Sequence, residues 1–159
     1  MADPFDDLLN DPQGVLSRLN PTAGGDPTNC PATADALENF LRTGQLTTVS
    51  DEMVSDFRIT ANWRNASLHF LRQHVLQGGH GTHVVVRGRR PPGSQFTEDH
   101  YFVLVNIHHR VYVADAWTHD FQEDINEYVH RQEFNHYSYA RRRRGNPDPF
   151  VAEPREIWE

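Results

Sequence analysis

The chain has a single cysteine, Cys30, among 159 residues, which excludes an internal disulfide framework and any cysteine-rich zinc site. A reducing compartment is the simpler expectation. No apolar run approaches the roughly 18 residues of a membrane span, and the opening MADPFDDLLN has neither a basic n-region nor an apolar stretch, so no secretory signal is read there. Export would need an address outside this domain. Positive charge is scarce as well: 15 Lys+Arg face 22 Asp+Glu for a formal charge of -7, which argues against a nucleic-acid surface. One local exception is the run Arg141 to Arg144 after Tyr137 and Tyr139, which could meet phosphate or an acidic partner but reads first as a solvated charge run.

What is present suffices for one domain over residues 1–159. Hydrophobic residues make up 37% and aromatics 11%, while ten prolines, ten glycines and a mean hydropathy of -0.70 imply long polar loops. Phe5, Leu8, Leu9, Val15 and Leu19 predict two short helices broken near Pro12 and Gly14. From Asn20 to Asn29 the residues are those of a loop. Ala34, Leu37, Phe40 and Leu41 recur at helical steps after Cys30, with Thr28 or Asn29 as the cap and Gly44 as the stop. Residues 45–62 show no firm period. A further helix is predicted over Asn65 to Leu76, ended by Gly78-Gly79, and a strand over His83 to Val86. Residues 100–117, HYFVLVNIHHRVYVADAW, read as two strands turning at His108-His109. Asp120 to Phe134 is predicted helical with Phe121, Ile125, Tyr128 and Val129 inward, and 136–159 is expected to be an irregular tail. The chain carries no internal repeat.

Cys30 stands after a Gly/Pro/Asn loop and opens a helix, where the macrodipole favours an anion. A lone cysteine is more often a small buried hydrophobe, so a nucleophile requires partners elsewhere: a base, and a group that orients the base. The hairpin supplies them. A two-residue turn at His108-His109 puts Phe102 opposite Asp115 and His100 opposite Trp117, so His100 and Asp115 become diagonal neighbours on one face, about 7–8 Å apart at the backbone. An oxyanion hole would draw on the Cys30 N–H, Asn29, or the Gly24-Gly25 loop. Two rival sites are weaker. His80, His83, His108, His109 and Asp120 have the side chains for a divalent metal but lack a recognisable ligand motif, and Gly78-Gly79-His80-Gly81 lacks the lysine and spacing of a phosphate loop. No metal or other cofactor is called for.

Asn20-Pro21, Gly24-Gly25, Asn29-Cys30-Pro31, Ala34-Asp35, Leu41 and Gly44, with the later GTHVVVRG, DHYFVLVN and VYVADAW, resemble the papain-like toxin domains (Tox-PL) of bacterial polymorphic toxins over residues 20–118. The resemblance implies an α+β papain-like fold, N-terminal helices with the nucleophile at a helix start packed on a small antiparallel sheet. It also implies nucleophile Cys30, base His100 and acid Asp115. Relatives of the fold include effectors that deamidate a protein glutamine, with peptide cleavage or acyl transfer as alternatives on the same triad and a non-catalytic interaction module as the alternative of another class. The implied partners are a protein substrate in a target cell and a cognate immunity protein, with no nucleic acid and no membrane. The implied setting is a larger toxin that is secreted or injected and acts in the target cytoplasm. The chain departs from the family at Ala116-Trp117, where Trp117 is expected to line the substrate groove, and at His108-His109 in place of a turn glycine.

Overall fold

The computed structural model describes residues 3–24, 30–49 and 62–141. Their elements are α1 (Pro4–Asn10), α2 (Pro12–Leu19), α3 (Cys30–Thr43), β1 (Asn62–Asn65), α4 (Leu68–Gln77), β2 (His83–Arg89), β3 (His100–Ile107), β4 (Arg110–Asp115), β5 (Asp120–Gln122), α5 (Ile125–Arg131) and β6 (His136–Arg141). The strands form one antiparallel sheet in the order β1-β6-β2-β3-β4-β5. The class is α+β.

Side-chain chemistry fixes the helix starts. Asp3 accepts from the Phe5 N–H (2.8 Å) and Asp11 from the Gly14 N–H (3.1 Å), each preceding a proline in the first helical turn, where a missing N–H costs nothing. Ser67 and Asp124 cap α4 and α5 in the same way, accepting from Phe70 and Glu127. Gly44 follows α3 with a φ of 78°, the left-handed C-terminal stop that glycine adopts freely.

Alternation along the strands splits the apolar residues between two cores. Val85, Val103, Val105, Ile107 and Ala114 pack with Leu8, Leu16, Leu37 and Leu41 of α1–α3. Val84, Val86, Phe102, Leu104 and Val113 pack with Leu71, Val75 and Tyr128 of α4 and α5. Every residue of β3 is buried, which explains its apolar run from Tyr101 to Val105: a strand covered on both faces has no polar side. Each fully buried Leu or Phe contributes roughly 1.5–3 kcal/mol. Asn106, the polar interruption, is fully used: its Nδ2 donates to the carbonyls of Val75 and Leu76 at the end of α4, and its Oδ1 accepts from the His109 N–H.

The hairpin has the two-residue turn read from the sequence, with Ile107 paired to Arg110 and Val103 to Ala114. His108 and His109 sit at φ 52° and 68°, as this mirror-image turn requires.

Three expectations are corrected. The segment after Asp120 is not one helix: Asp120–Gln122 adds strand β5 beside β4, where Phe121 stacks on Tyr112 at 4.8 Å, and the helix begins only at the Asp124 cap. The expected irregular tail begins with β6, which pairs with both β1 and β2; residues 142–159, with Arg142 to Arg144, lie outside the described residues. The helix predicted from Asn65 starts at Leu68, because Asn62–Asn65 is a strand paired with β6.

Candidate active site

The hairpin and α3 meet at one end of the sheet. His100 opens β3 and Asp115 closes β4, both on the face that packs α5, whereas Cys30 opens α3 on the opposite face and reaches His100 around the strand end. Cys30 Sγ lies 2.8 Å from His100 Nδ1, and His100 Nε2 lies 2.5 Å from Asp115 Oδ2. All three are nearly or fully buried, at 2%, 3% and 0% exposure, so their mutual interactions are only weakly screened. The ring nitrogens are used in the opposite sense to the serine template, in which Nε2 faces the nucleophile.

Each member is held in place. Asp115 Oδ2 also accepts from the Tyr128 hydroxyl at 2.6 Å, and Oδ1 accepts from the N–H groups of Trp117 (2.9 Å) and Thr118 (3.1 Å). The His100 ring is flanked by Phe134, stacked at 6.0 Å, and Trp117, edge-on at 5.5 Å. Gly88 is paired with His100 in the sheet. A Cβ at Gly88 would meet the Phe134 ring at 2.7 Å, so glycine is what lets Phe134 close over β2 and reach the imidazole. Cys30 Sγ accepts from the Tyr101 N–H at 3.1 Å, and a protonated thiol can donate to the Tyr101 carbonyl at 3.4 Å.

Burial alone would lower the pKa of His100; the Asp115 carboxylate, then Cys30, outweigh it and raise it to about 10. For Asp115, burial opposes ionisation, and the facing imidazole with the Tyr128 and Thr118 donors holds its pKa below the usual carboxylate value. Burial and the neighbouring Asp115 charge push the Tyr128 hydroxyl well above its ordinary pKa, so it remains a donor. At neutral pH the imidazole is therefore a cation donating from both nitrogens. The sulfur accepts from His100 and from the Tyr101 N–H.

A cleft of about 330 Å³ opens beside this constellation, lined by Cys30, His100, Trp117, Thr118, Gln132, Arg90 and residues 95–99. Trp117, the residue proposed from the sequence for a substrate groove, is among those that line this cleft. Of the expected oxyanion contributors, Gly25 and Asn29 lie outside the described residues. Gly24 is corrected as a donor: its N–H is committed to the Trp117 carbonyl at 2.7 Å. Together with Asn20 Nδ2, which donates to the Ala116 and Trp117 carbonyls, that bond ties the loop start to the groove wall. Cys30, as the first residue of α3, has no i−4 carbonyl within its helix for its own N–H.

The suggested metal set does not assemble. His83 pairs with Glu38 at 2.7 Å, and Asp120 with Arg131 and Thr118. His80 and His108 do stack at 4.4 Å, near Asp6. Yet His80 Nδ1 accepts the His108 N–H and its Nε2 meets Asp3 Oδ2, while His108 Nε2 meets Asp6 Oδ1. These bonds use both ring nitrogens of His80 and the Nε2 of His108, and they tie the start of α1 to the hairpin.

Sequence reasoning missed Tyr128, Phe134 and Arg90 as site residues. Tyr128 was legible as an inward residue, but nothing local shows what its hydroxyl meets. No protein-family model, curated protein or solved structure matches the chain.

Proposed function

We propose that the protein is a cysteine hydrolase of protein amide groups, a papain-like toxin or effector domain whose first reaction is deamidation of a glutamine side chain. The observation that carries this reading is the continuous Cys30–His100–Asp115 chain, at 2.8 Å and 2.5 Å, opening on a cleft. A sulfur facing an imidazole that in turn faces a carboxylate supports nucleophilic acyl chemistry.

The Cys30 sulfur attacks the amide carbonyl carbon. Negative charge passes to the carbonyl oxygen, for which the Cys30 N–H at the start of α3 is the nearest helix-end donor. His100 Nδ1–H then protonates the leaving nitrogen, ammonia departs, and a thioester remains. Water gives a proton back to Nδ1 as its oxygen attacks the thioester, releasing glutamate and the thiolate. Asp115 keeps the Nε2 proton in place and balances the imidazolium throughout.

Peptide cleavage and acyl transfer use the same thioester and differ in the leaving group or the acceptor. The functional setting that fits this reading is a larger toxin delivered to a target cell, acting on a protein there and restrained by an immunity protein in the producer.

Mass spectrometry of candidate target proteins tests it. A gain of about 1 Da at a glutamine marks deamidation, a cut chain marks proteolysis, and an adduct marks transfer. Cys30→Ala is expected to abolish the product while leaving the fold intact. A Cys30→Ala protein with full activity would sink the reading.

A further inference from the structure

Arg90 stands just after β2, in the wall of the cleft that holds Cys30 and His100. Its Nε donates to the Gln132 carbonyl (2.9 Å), its Nη2 to Gln132 Oε1 (2.8 Å) and its Nη1 to the Glu98 carbonyl (2.5 Å). The guanidinium lies between the rings of Phe96 (4.3 Å) and Phe134 (4.8 Å). All three acceptors are neutral. A guanidinium has five N–H groups, so about two remain for the cleft.

The acids nearby are engaged or turned to solvent. Asp99 pairs with Arg89 at 3.4 Å. Glu133 accepts from Ser94 and Gln95, which fixes the loop before β3. Glu98 gives Arg90 its main-chain carbonyl, and its side chain is exposed at the rim, where water screens it. Among the described residues no carboxylate forms an ion pair with Arg90. Burial lowers its pKa, although Tyr128, Cys30, Glu133 and Asp99 pull the other way, so the surrounding charge only partly offsets the cost of burying this cation. A half-buried, immobilised fork of this kind is preorganised for one ligand chemistry, a carboxylate.

We propose that the cleft selects substrates bearing a carboxylate close to the reacting amide, with Arg90 as the specificity residue. This rests on the reading of Cys30 as the nucleophile. The carboxylate comes from an acidic side chain next to the reacting residue or from a chain end.

Alkylation of the single cysteine tests both sources without knowledge of the natural target. Two matched pairs of reagents carry the same electrophile: iodoacetyl-Glu-amide against iodoacetyl-Gln-amide, and iodoacetyl-Gly against iodoacetyl-Gly-amide. In each, sulfur bonds to the methylene carbon, the carbon–iodine bond breaks and iodide leaves, so within a pair only the charge differs.

Intact-mass kinetics on the full chain are expected to show at least one acid labelling Cys30 about tenfold faster than its neutral partner, the size of one charge-assisted contact. The preferred pair identifies the source. His100 attracts anions as well, so the decisive quantity is the acid-to-neutral ratio in Arg90→Gln, expected to fall several-fold, while Arg90→Lys retains most of it. Should Arg90→Gln fail to fold, Phe96→Ala removes the exposed ring that lies 4.3 Å from the guanidinium and helps to immobilise it, and is expected to lower the ratio.

Ratios at or below one in the wild type overturn the proposal, as does a ratio that Arg90→Gln leaves unchanged, or, where that variant is lost, one that Phe96→Ala fails to lower. If none of the four reagents labels native Cys30, the nucleophile reading itself falls.

Discussion

Asp115 is fully buried and accepts from His100, Tyr128, Trp117 and Thr118. Both oxygens are therefore saturated by donors that suit the ionised form. Asp115→Asn keeps the shape but turns part of the group into a donor facing donors, so the imidazolium loses its counter-charge and its fixed orientation. The expected result is a rate of Cys30 alkylation, and of turnover once a substrate is known, lower by about 10²- to 10⁴-fold with the circular dichroism spectrum retained. His100 makes a separate prediction about pH. Its pKa rises from 6.5 to about 10 in the folded protein, so the folded state binds the proton more tightly than the unfolded one. The stabilisation from this proton is complete below about pH 6.5 and is lost as pH climbs through about 10. Urea titrations across that range should show unfolding free energy falling with pH, and the fall should be smaller in His100→Gln. Equal slopes would show that the pair contributes nothing.

At the scale of elements, the site depends on how closely the β6 approach segment packs on β2. Gly88 leaves room for Phe134, which stacks on both His100 and Phe102. Gly88→Ala places a methyl group about 2.7 Å from that ring, so the ring must move away from the imidazole. We expect a stability loss of about 1–3 kcal/mol from overpacking together with slower Cys30 alkylation; Phe134→Leu in the same background should recover part of both, measured by thermal melts and labelling rates. The elements that were legible share one property. Helices α1 and α2 carry their own N-caps, α3 its periodicity and its glycine stop, and the β3–β4 hairpin its turn and alternation, so local chemistry sufficed to read them. Strand β5 was missed because Phe121 fits an inward helical position as well as a strand, and only the free edge of β4 decides between them. Strand β6 was missed because HYSYAR has no strong pattern; it is a strand because it fills the gap between β1 and β2.

Across the whole molecule, a buried polar contact ties the helical layer of α1–α3 to the sheet. Glu38 on α3 is 1% exposed and is held by His83 Nε2 on β2 (2.7 Å) and Arg42 Nε (3.2 Å). Burial alone would raise its pKa, and these two cations bring it below the ordinary value instead. A carboxyl with a depressed folded pKa stabilises above its unfolded value and loses that contribution as pH falls through the folded one. Glu38→Gln removes the carboxylate charge that His83 and Arg42 both meet; because Arg42 is partly exposed, the expected cost is about 3 kcal/mol, at the lower end of the range for breaking a buried pair. Chemical denaturation at neutral pH checks the loss, and the variant should also show a weaker dependence of stability on acid pH. Among the described residues no helix is long and apolar enough to cross a membrane, in keeping with the absence of long apolar runs.

The amino-acid order by itself determined the shared face of His100 and Asp115, because with a side-chain period of two any regular pairing of odd sum about the turn keeps them together, and the structure fixed the register at Val103 opposite Ala114. It also determined that Cys30 opens a helix, since the stripe after it and the proline beside it are local signals. Only the tertiary structure decided that these two results concern the same place. Cys30 belongs to a helix on one face of the sheet and His100 to the other face, and they meet because α3 starts where β3 starts. Tyr128, Phe134 and Arg90 joined the site for the same reason. Each lies far along the chain from Cys30, and what brings them together is the packing of two layers around the end of one sheet, a relation that no local spacing encodes.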